Sequence, residues 1–251
     1  QAAIVGLEAL VTAEITPSEV MEKHCPRQIE KTSHMTKSLY LEISGKVKST
    51  LTSLPEVCNV STCPRADWAG CVLRMAGHDF MDYVQPGEGG SDACTDFSDP
   101  DNKGLRECLA DGEFGVSVGT VYSEYCSKVS LADMIVIAAE AVIEQTRQWH
   151  IEAHTNDKST KYSESKPVSF ADSFRFGRET KGKGVCQFRP HLLPNPVHGC
   201  DDVKRNFMDL MGMTPEQTTV ISGVHTLGRA RPENSGYDGW WSDPLNSRRF
   251  N

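Results

Sequence analysis

The 251-residue chain has no apolar run near the roughly 20 residues that a membrane-spanning helix needs, so no helical span is expected. It has no polybasic patch either. Its 26 Lys and Arg stand against 34 Asp and Glu, a formal charge of −8, which argues against a nucleic-acid surface and suits small or cationic partners. No CxxC pair suggests a zinc site or redox dithiol, no internal repeat marks a repetitive fold, and strand signals are sparse. A mostly α protein is expected. The Gln1 start carries neither an initiator Met nor a signal-peptide pattern, so the chain reads as mature or incompletely covered.

Cysteine, by contrast, is plentiful. Cys25, Cys58, Cys63, Cys71, Cys94, Cys108, Cys126, Cys186 and Cys200 are many for a reducing compartment, and several read as disulfides. The odd total leaves at least one free, paired between molecules, or bonded to a segment outside the chain. Asn59-Val60-Ser61 is the single N-glycosylation sequon, which makes Asn59 a candidate glycosylation site. Together these features favour a secreted or extracellular protein. The alternative is an organelle such as a plastid, with most of the cysteines buried as apolar thiols.

Residues 1–56 hold helix-prone stretches at Pro17 to Glu22 and Leu39 to Leu54, expected to form an N-terminal helical extension on a main domain spanning 57–251. A helix is expected from Pro64, a good first-turn residue, to His78. Gly, Asp, Ser and Pro then make a long loop from Gln85 to Lys103. Ser130, with Asp133 three residues on as a capping-box variant, opens a helix apolar nearly all round, which should be buried. A loop is expected from Thr155 to Lys166. Pro194-Asn195-Pro196 breaks the chain before Asp201, read as the cap of a helix carrying Val203, Phe207, Leu210 and Met211. Thr214-Pro215-Glu216-Gln217 is a capping box opening the helix that leads to His225.

Two histidine segments carry the chemistry. In Leu73-Arg74-Met75-Ala76-Gly77-His78-Asp79, Arg74 and His78 lie four apart and would share a helix face, a fixed cation beside a neutral imidazole. In Ile221-Ser222-Gly223-Val224-His225-Thr226-Leu227-Gly228-Arg229, His225 follows a flexible Ser-Gly and could approach a metal as an axial ligand. Each alone is ambiguous. A lone His is usually a hydrogen-bonded structural residue, and His24, His34, His150, His154, His191 and His198 have no partners at metal-ligand spacing.

In order and spacing these motifs resemble the plant, fungal and bacterial haem peroxidase superfamily, from about Cys63 to the end of the chain. Arg74 and His78 match the distal arginine and histidine. Asn102, in Asp101-Asn102-Lys103-Gly104, resembles the asparagine that orients the distal histidine, although it could also simply favour that turn. His225 matches the proximal ligand of the haem iron. The resemblance implies an all-α, two-lobed fold with haem b between a distal and a proximal lobe, and makes 57–251 the peroxidase-like domain. Asn234-Ser235-Gly236-Tyr237-Asp238-Gly239-Trp240-Trp241 is similar to the class that includes ascorbate and cytochrome c peroxidases. Trp241 would be that class's proximal tryptophan, and Ser222 and Thr226 are further candidate cofactor contacts. Asn234 stands where ascorbate peroxidases usually place a substrate-binding arginine.

His78-Asp79 and Gly90-Ser91-Asp92-Ala93-Cys94 instead resemble the secreted classes, in which this region holds calcium. Asp79 and Asp92 are therefore candidate calcium ligands, or else turn and capping carboxylates. Gly77 replaces the family's distal aromatic, which implies a wider pocket. The chain also ends before the segment in which the family places the aspartate paired with the proximal histidine, so it is expected to lack a C-terminal segment, or to need a partner chain, or to have an altered proximal site. The implied reaction is hydrogen peroxide reduction with one-electron oxidation of an unidentified donor. Neutral His78 moves the proton between the two peroxide oxygens and Arg74 stabilises the developing charge. Two alternatives are a peroxidase-like structural or interaction component of an extracellular or larger assembly with reduced or lost haem activity, and a mononuclear metal protein using the histidines without haem.

Overall fold

The computed structural model describes residues 15–154, 166–182, 185–187, 192–195, 197–244 and 246–250. Half of it is helical and 4% is strand, so the expected all-α class holds. The helices are α1 (Pro17–Glu22), α2 (Lys37–Ser53), α3 (Pro64–Phe80), α4 (Val118–Tyr125), α5 (Leu131–His154), α6 (Cys200–Val203), α7 (Pro215–Ser222) and α8 (Pro232–Ser235). Short 3-10 turns occupy Pro100–Asn102 and Gly223–Thr226, and π-helical turns occupy Glu107–Asp111 and Lys204–Leu210. Two-residue strands, β1 (Arg229–Ala230) and β2 (Gly239–Trp240), pair antiparallel. The loop expected at 155–165 lies outside the described residues, as do His191 and Pro196.

Local chemistry explains most helix starts. Thr16 opens α1 by accepting from the Glu19 N–H at 3.2 Å, while the Glu19 carboxylate accepts from the Thr16 N–H at 3.0 Å. The same reciprocal pair, Thr214 with Gln217, opens α7 as expected. Two expected caps differ. Ser130 does accept from the Asp133 N–H at 3.3 Å, but the Asp133 carboxylate turns outward to the Gly177 and Arg178 N–H groups and the Arg178 guanidinium. A full cation is a stronger partner than one cap amide. Asp201 does not cap α6 either: Gly199 occupies that position, Asp201 lies in the first turn, and the helix passes after Val203 into the π turn.

The core forms where α2 and α3 pack on α5. Tyr40, Ile43, Val47 and Leu51 from α2, and Trp68, Val72 and Met75 from α3, close over Leu131, Met134, Ile135, Ala138 and Val142, all buried. Among the described residues every buried member of this cluster lies between Val20 and Val142 except Leu227. The chain after 192 therefore has little core of its own and is held to α3 at a few points. Gly70 of α3 meets Gly228 so closely that a Cβ on Gly70 would lie 3.1 Å from the Gly228 Cα. One turn away, Arg229 reaches Asp67.

Four disulfides join Cys25 to Cys126, Cys58 to Cys63, Cys71 to Cys108 and Cys94 to Cys186. Cys200 is the free, exposed thiol that the odd count required.

Candidate active site

His78 sits in the last turn of α3, and the Pro100–Asn102 turn brings Asn102 to it. The Asn102 Oδ1 lies 2.8 Å from His78 Nδ1, and the Asn102 Nδ2 donates to the Asp96 carbonyl at 2.7 Å. A carbonyl only accepts, so the amide nitrogen must face Asp96 and the amide oxygen must face the imidazole. His78 Nδ1 is therefore the protonated nitrogen, and Nε2 keeps its lone pair. Burial pushes the His78 pKa down to about 4, helped by the cation of Arg74 and, more weakly, by His225, against the bond to Asn102. The imidazole is neutral at ordinary pH.

Arg74, one turn earlier on α3, donates from Nη1 to the Lys103 carbonyl at 2.8 Å and from Nη2 to the Asp101 carbonyl at 2.5 Å. Burial lowers its pKa and the charges of Asp101 and Glu107 hold it up; a guanidinium remains a cation throughout. Asn102 thus both belongs to a turn and orients the histidine, since the carbonyls flanking it anchor Arg74. At Gly77, between the two, an added Cβ would meet nothing within 4 Å, which agrees with a roomier pocket.

His225 is carried on the 3-10 turn after α7 rather than on the helix itself. It is exposed, and its ring centroid lies 5.0 Å from that of Trp241 at an interplanar angle of 50°. Trp241 is 52% exposed, so it is not a core aromatic. The expected contacts Ser222 and Thr226 flank His225 in the chain. The Ser222 hydroxyl is spent on the Thr218 carbonyl of its own helix at 2.8 Å, and the Thr226 carbonyl accepts from Ser242 at 3.2 Å.

This donor set fits a haem. A neutral imidazole with a free Nε2 and a second, exposed imidazole beside an indole ring stand on separate elements yet are near enough to act on each other electrostatically. Against the metal-only alternative, no group of three or more His, Cys, Asp or Glu among the described residues is placed to hold a metal ion.

Asp79, buried, and Asp92 converge on one backbone N–H, that of Cys94, each at 3.1 Å. Burial raises the Asp79 pKa well above the usual carboxylate range, and the neighbouring Asp92 adds to it. Burial and Asp82 raise Asp92 to about 6. Asp79 Oδ2 and Thr95 Oγ1 are buried without a hydrogen-bond partner, and a cavity of about 30 Å³ lies among Asp79, Asp82, Thr95 and His78. On the surface, Asn59 is exposed within the loop closed by Cys58 and Cys63, and its Oδ1 accepts from the Ser61 and Thr62 N–H groups.

Sequence reasoning missed the Asp96 carbonyl that sets the Asn102 amide, and the Asp67 and Arg229 pair. A backbone acceptor leaves no trace in residue identity. Nothing local to Asp67 announces a partner 162 residues away.

A helical chain with one neutral, asparagine-held histidine beside an arginine, and a second histidine beside a tryptophan, has the arrangement of the haem peroxidases. The chain belongs to that superfamily: the family model described as Peroxidase matches residues 47–244. Its relatives place it on the class I side. It is 30% identical over 183 residues to L-ascorbate peroxidase 5, peroxisomal, of Arabidopsis thaliana, covering 70% of this chain and 54% of that protein. It is 37% identical over 73 residues to L-ascorbate peroxidase 2, cytosolic, of Oryza sativa subsp. japonica, covering 29% and 28%. With cytochrome c peroxidase, mitochondrial, of Pyricularia oryzae it shares 33% over 69 residues, covering 28% and 18%. The chain spans about half or less of the length of these relatives. Their names are cytosolic, peroxisomal and mitochondrial, and give the expectation of secretion no support.

Proposed function

We propose that the protein reduces hydrogen peroxide at a haem held by His225 and oxidises a donor in one-electron steps. The observation that carries this reading is the His78, Asn102 and Asp96 chain, which leaves a neutral imidazole with its Nε2 free to accept. Bound haem would supply the two-electron redox chemistry and the site at which peroxide docks. His78 Nε2 takes a proton from one peroxide oxygen and returns it to the other, so the departing oxygen leaves as water. The Nδ1 bond to Asn102 keeps the ring from turning during the transfer. Arg74 spends two of its five N–H donors on the 101–103 turn, and its fixed charge stabilises the negative charge that develops nearby. Trp241, whose ring centroid lies 5.0 Å from that of His225, would lose an electron to the cofactor side. A haem titration followed by peroxide consumption tests the reading: a Soret band with turnover supports it, and failure to bind haem sinks it.

The commitment of Arg74 to two backbone carbonyls favours a second reading, a peroxidase-like interaction component that binds haem and turns over poorly. A Soret band without peroxide consumption would select it.

The same reading takes the Asp79 and Asp92 site as a calcium site completed by Thr95 Oγ1 and main-chain carbonyls. Two neighbouring carboxylates, both raised in pKa by burial and by nearby acidic groups, beside an unpaired buried oxygen, are the environment that a hard divalent cation relieves. Four disulfides support an oxidising compartment, in which the exposed Asn59 would carry a glycan. Residues 1–56 are read as an extension on a 57–251 domain, supported by the packing of α2 on α5.

A further inference from the structure

The loop closed by Cys58 and Cys63 is a place where the chain after His225 docks. Inside the loop, Arg229 Nη1 donates to the Val60 carbonyl at 2.7 Å and Nη2 to the Ser61 carbonyl at 3.2 Å. The Pro244 carbonyl oxygen lies 3.1 Å from Cys58 Sγ, and just outside the loop Arg248 donates to the Glu56 carbonyl at 2.7 Å. The loop takes its shape from within, where the Asn59 N–H donates to the Thr62 carbonyl at 2.9 Å and the Asn59 Oδ1 accepts from the Ser61 and Thr62 N–H groups. The disulfide anchors that turn to the start of α3. Cys63 is fully buried at the N-cap, whereas Cys58 is half-buried and residues 59–62 are exposed. The other three disulfides span 37, 92 and 101 positions, and this one spans 5. Stabilisation by a cross-link grows with the loop it closes, so opening this pair costs the fold least.

We propose that the Cys58 to Cys63 disulfide is an exchange site for a dithiol reductant, and that its opening loosens the segment carrying His225 while the core stays folded. A thiolate of the dithiol attacks Cys58 Sγ, the half-buried sulfur, the bond between Cys58 and Cys63 breaks, and Cys63 leaves as a thiolate. Cys63 is a good leaving group because it sits at the N-terminus of a 17-residue helix, where free backbone N–H groups and the helix dipole stabilise an anion. The dithiol's second sulfur then attacks the mixed disulfide and frees Cys58. Two electrons and two protons pass from the dithiol, which ends as a disulfide, to Cys58 and Cys63, which end as thiols. The Asn59 turn then keeps its own bonds but not its anchorage, and Arg229 keeps Asp67 but loses two fixed acceptors. The loosening rests on these contacts alone, and its bearing on an iron ligand rests on the function proposed above.

The experiment takes the full chain, with Cys200 alkylated beforehand, through rising dithiothreitol, trapping new thiols for mass spectrometry and following amide hydrogen exchange. Cys58 and Cys63 should open before the other three pairs. With only that pair open, the Gly228 amide, bound to the Ser247 carbonyl at 2.6 Å, should exchange at least about tenfold faster, as the loss of two hydrogen bonds predicts. The α5 amides should be unchanged. Cys58→Ser with Cys63→Ser should show the same raised Gly228 exchange without reductant, and serine is itself a good N-cap, so α3 is not weakened. Another pair opening first overturns the proposal. So does unchanged Gly228 exchange once this pair is open, or α5 exchange rising alongside it, because the whole fold and not the docked segment would then depend on the bond.

Discussion

Arg229 and Asp67, 162 residues apart, form a two-bond fork: Nε donates to Oδ1 at 2.6 Å and Nη2 to Oδ2 at 2.8 Å. Both side chains are about nine-tenths buried. Two further Arg229 N–H groups reach the Val60 and Ser61 carbonyls, and its guanidinium lies 5.1 Å from the Trp240 ring centroid. The fork therefore fixes the segment just after His225 to the first turn of α3, the helix that carries His78 in its last turn.

Breaking that pair by Asp67→Ala should cost about 3–5 kcal/mol of stability, because it strands a buried guanidinium. Replacing both partners with apolar residues, Asp67→Leu with Arg229→Met, should cost much less. Urea denaturation of the three proteins checks this. A double variant as unstable as Asp67→Ala would show that the fork's desolvation is not the governing effect.

His78→Leu should slow the reaction with peroxide by about 10²- to 10⁴-fold, the usual range for a positioned acid-base group, while the Soret band persists. Asn102→Leu should slow it by less, since the imidazole remains but neither its tautomer nor its orientation is held. Stopped-flow mixing with peroxide measures both. Unchanged rates in His78→Leu would refute the proton-transfer role.

His225→Ala should abolish stoichiometric haem binding, whereas Trp241→Phe should retain it, because the tryptophan touches the ligand ring and supplies no coordinating atom. The Soret band during a haem titration reads the difference directly. A wild-type spectrum in His225→Ala would move the axial role elsewhere.

Glu140 gives the molecule a pH-dependent stability. Burial raises its pKa to about 7, with Glu144 adding, while the Tyr40 hydroxyl at 2.8 Å and Arg178 act the other way. In the unfolded chain its value is the ordinary 4.5. Between the two values the folded state holds a proton that the unfolded state has released. The contribution is thus fully present below pH 4.5 and is lost as pH rises through 7. Glu140→Gln keeps a neutral acceptor for Tyr40 at every pH. Its urea midpoint should fall less than wild type's between pH 4.5 and pH 8, and an identical fall in both proteins would refute the assignment.

Calcium should raise the thermal midpoint, and a chelator should reverse the rise. At about 100 times its dissociation constant a ligand specific for the folded state adds about 2.7 kcal/mol. Asp92→Asn should remove the response, leaving midpoints with calcium and with chelator the same. A response that survives Asp92→Asn would place the ion at another site.

Much of this could be read before any coordinates. Thr214 to Gln217 was legible because its capping chemistry is local, residue against residue three positions on, whereas Pro17 to Glu22 was legible only as a helix-prone stretch and its Thr16 and Glu19 capping pair went unread. The buried α5 was legible from its unbroken apolar faces. His78, Arg74 and Asn102 were legible as a set because a resemblance tied their order together, not because spacing showed contact. What stayed hidden depends on distant partners. Asp133 abandons its cap for Arg178, 45 residues on, and Arg74 spends its donors on carbonyls that any residues at 101 and 103 would offer. The cysteine count was legible while the pairing was not, since Cys25 to Cys126 closes across 101 positions.

Among the described residues the buried cluster lies within residues 20–142 apart from Leu227, and this bears on how the protein comes into being. During synthesis the chain can bury nearly all of its apolar cluster before His225 has been translated, and the later segment then docks on a surface already formed. His225 would therefore reach its place only once that segment has docked on α3.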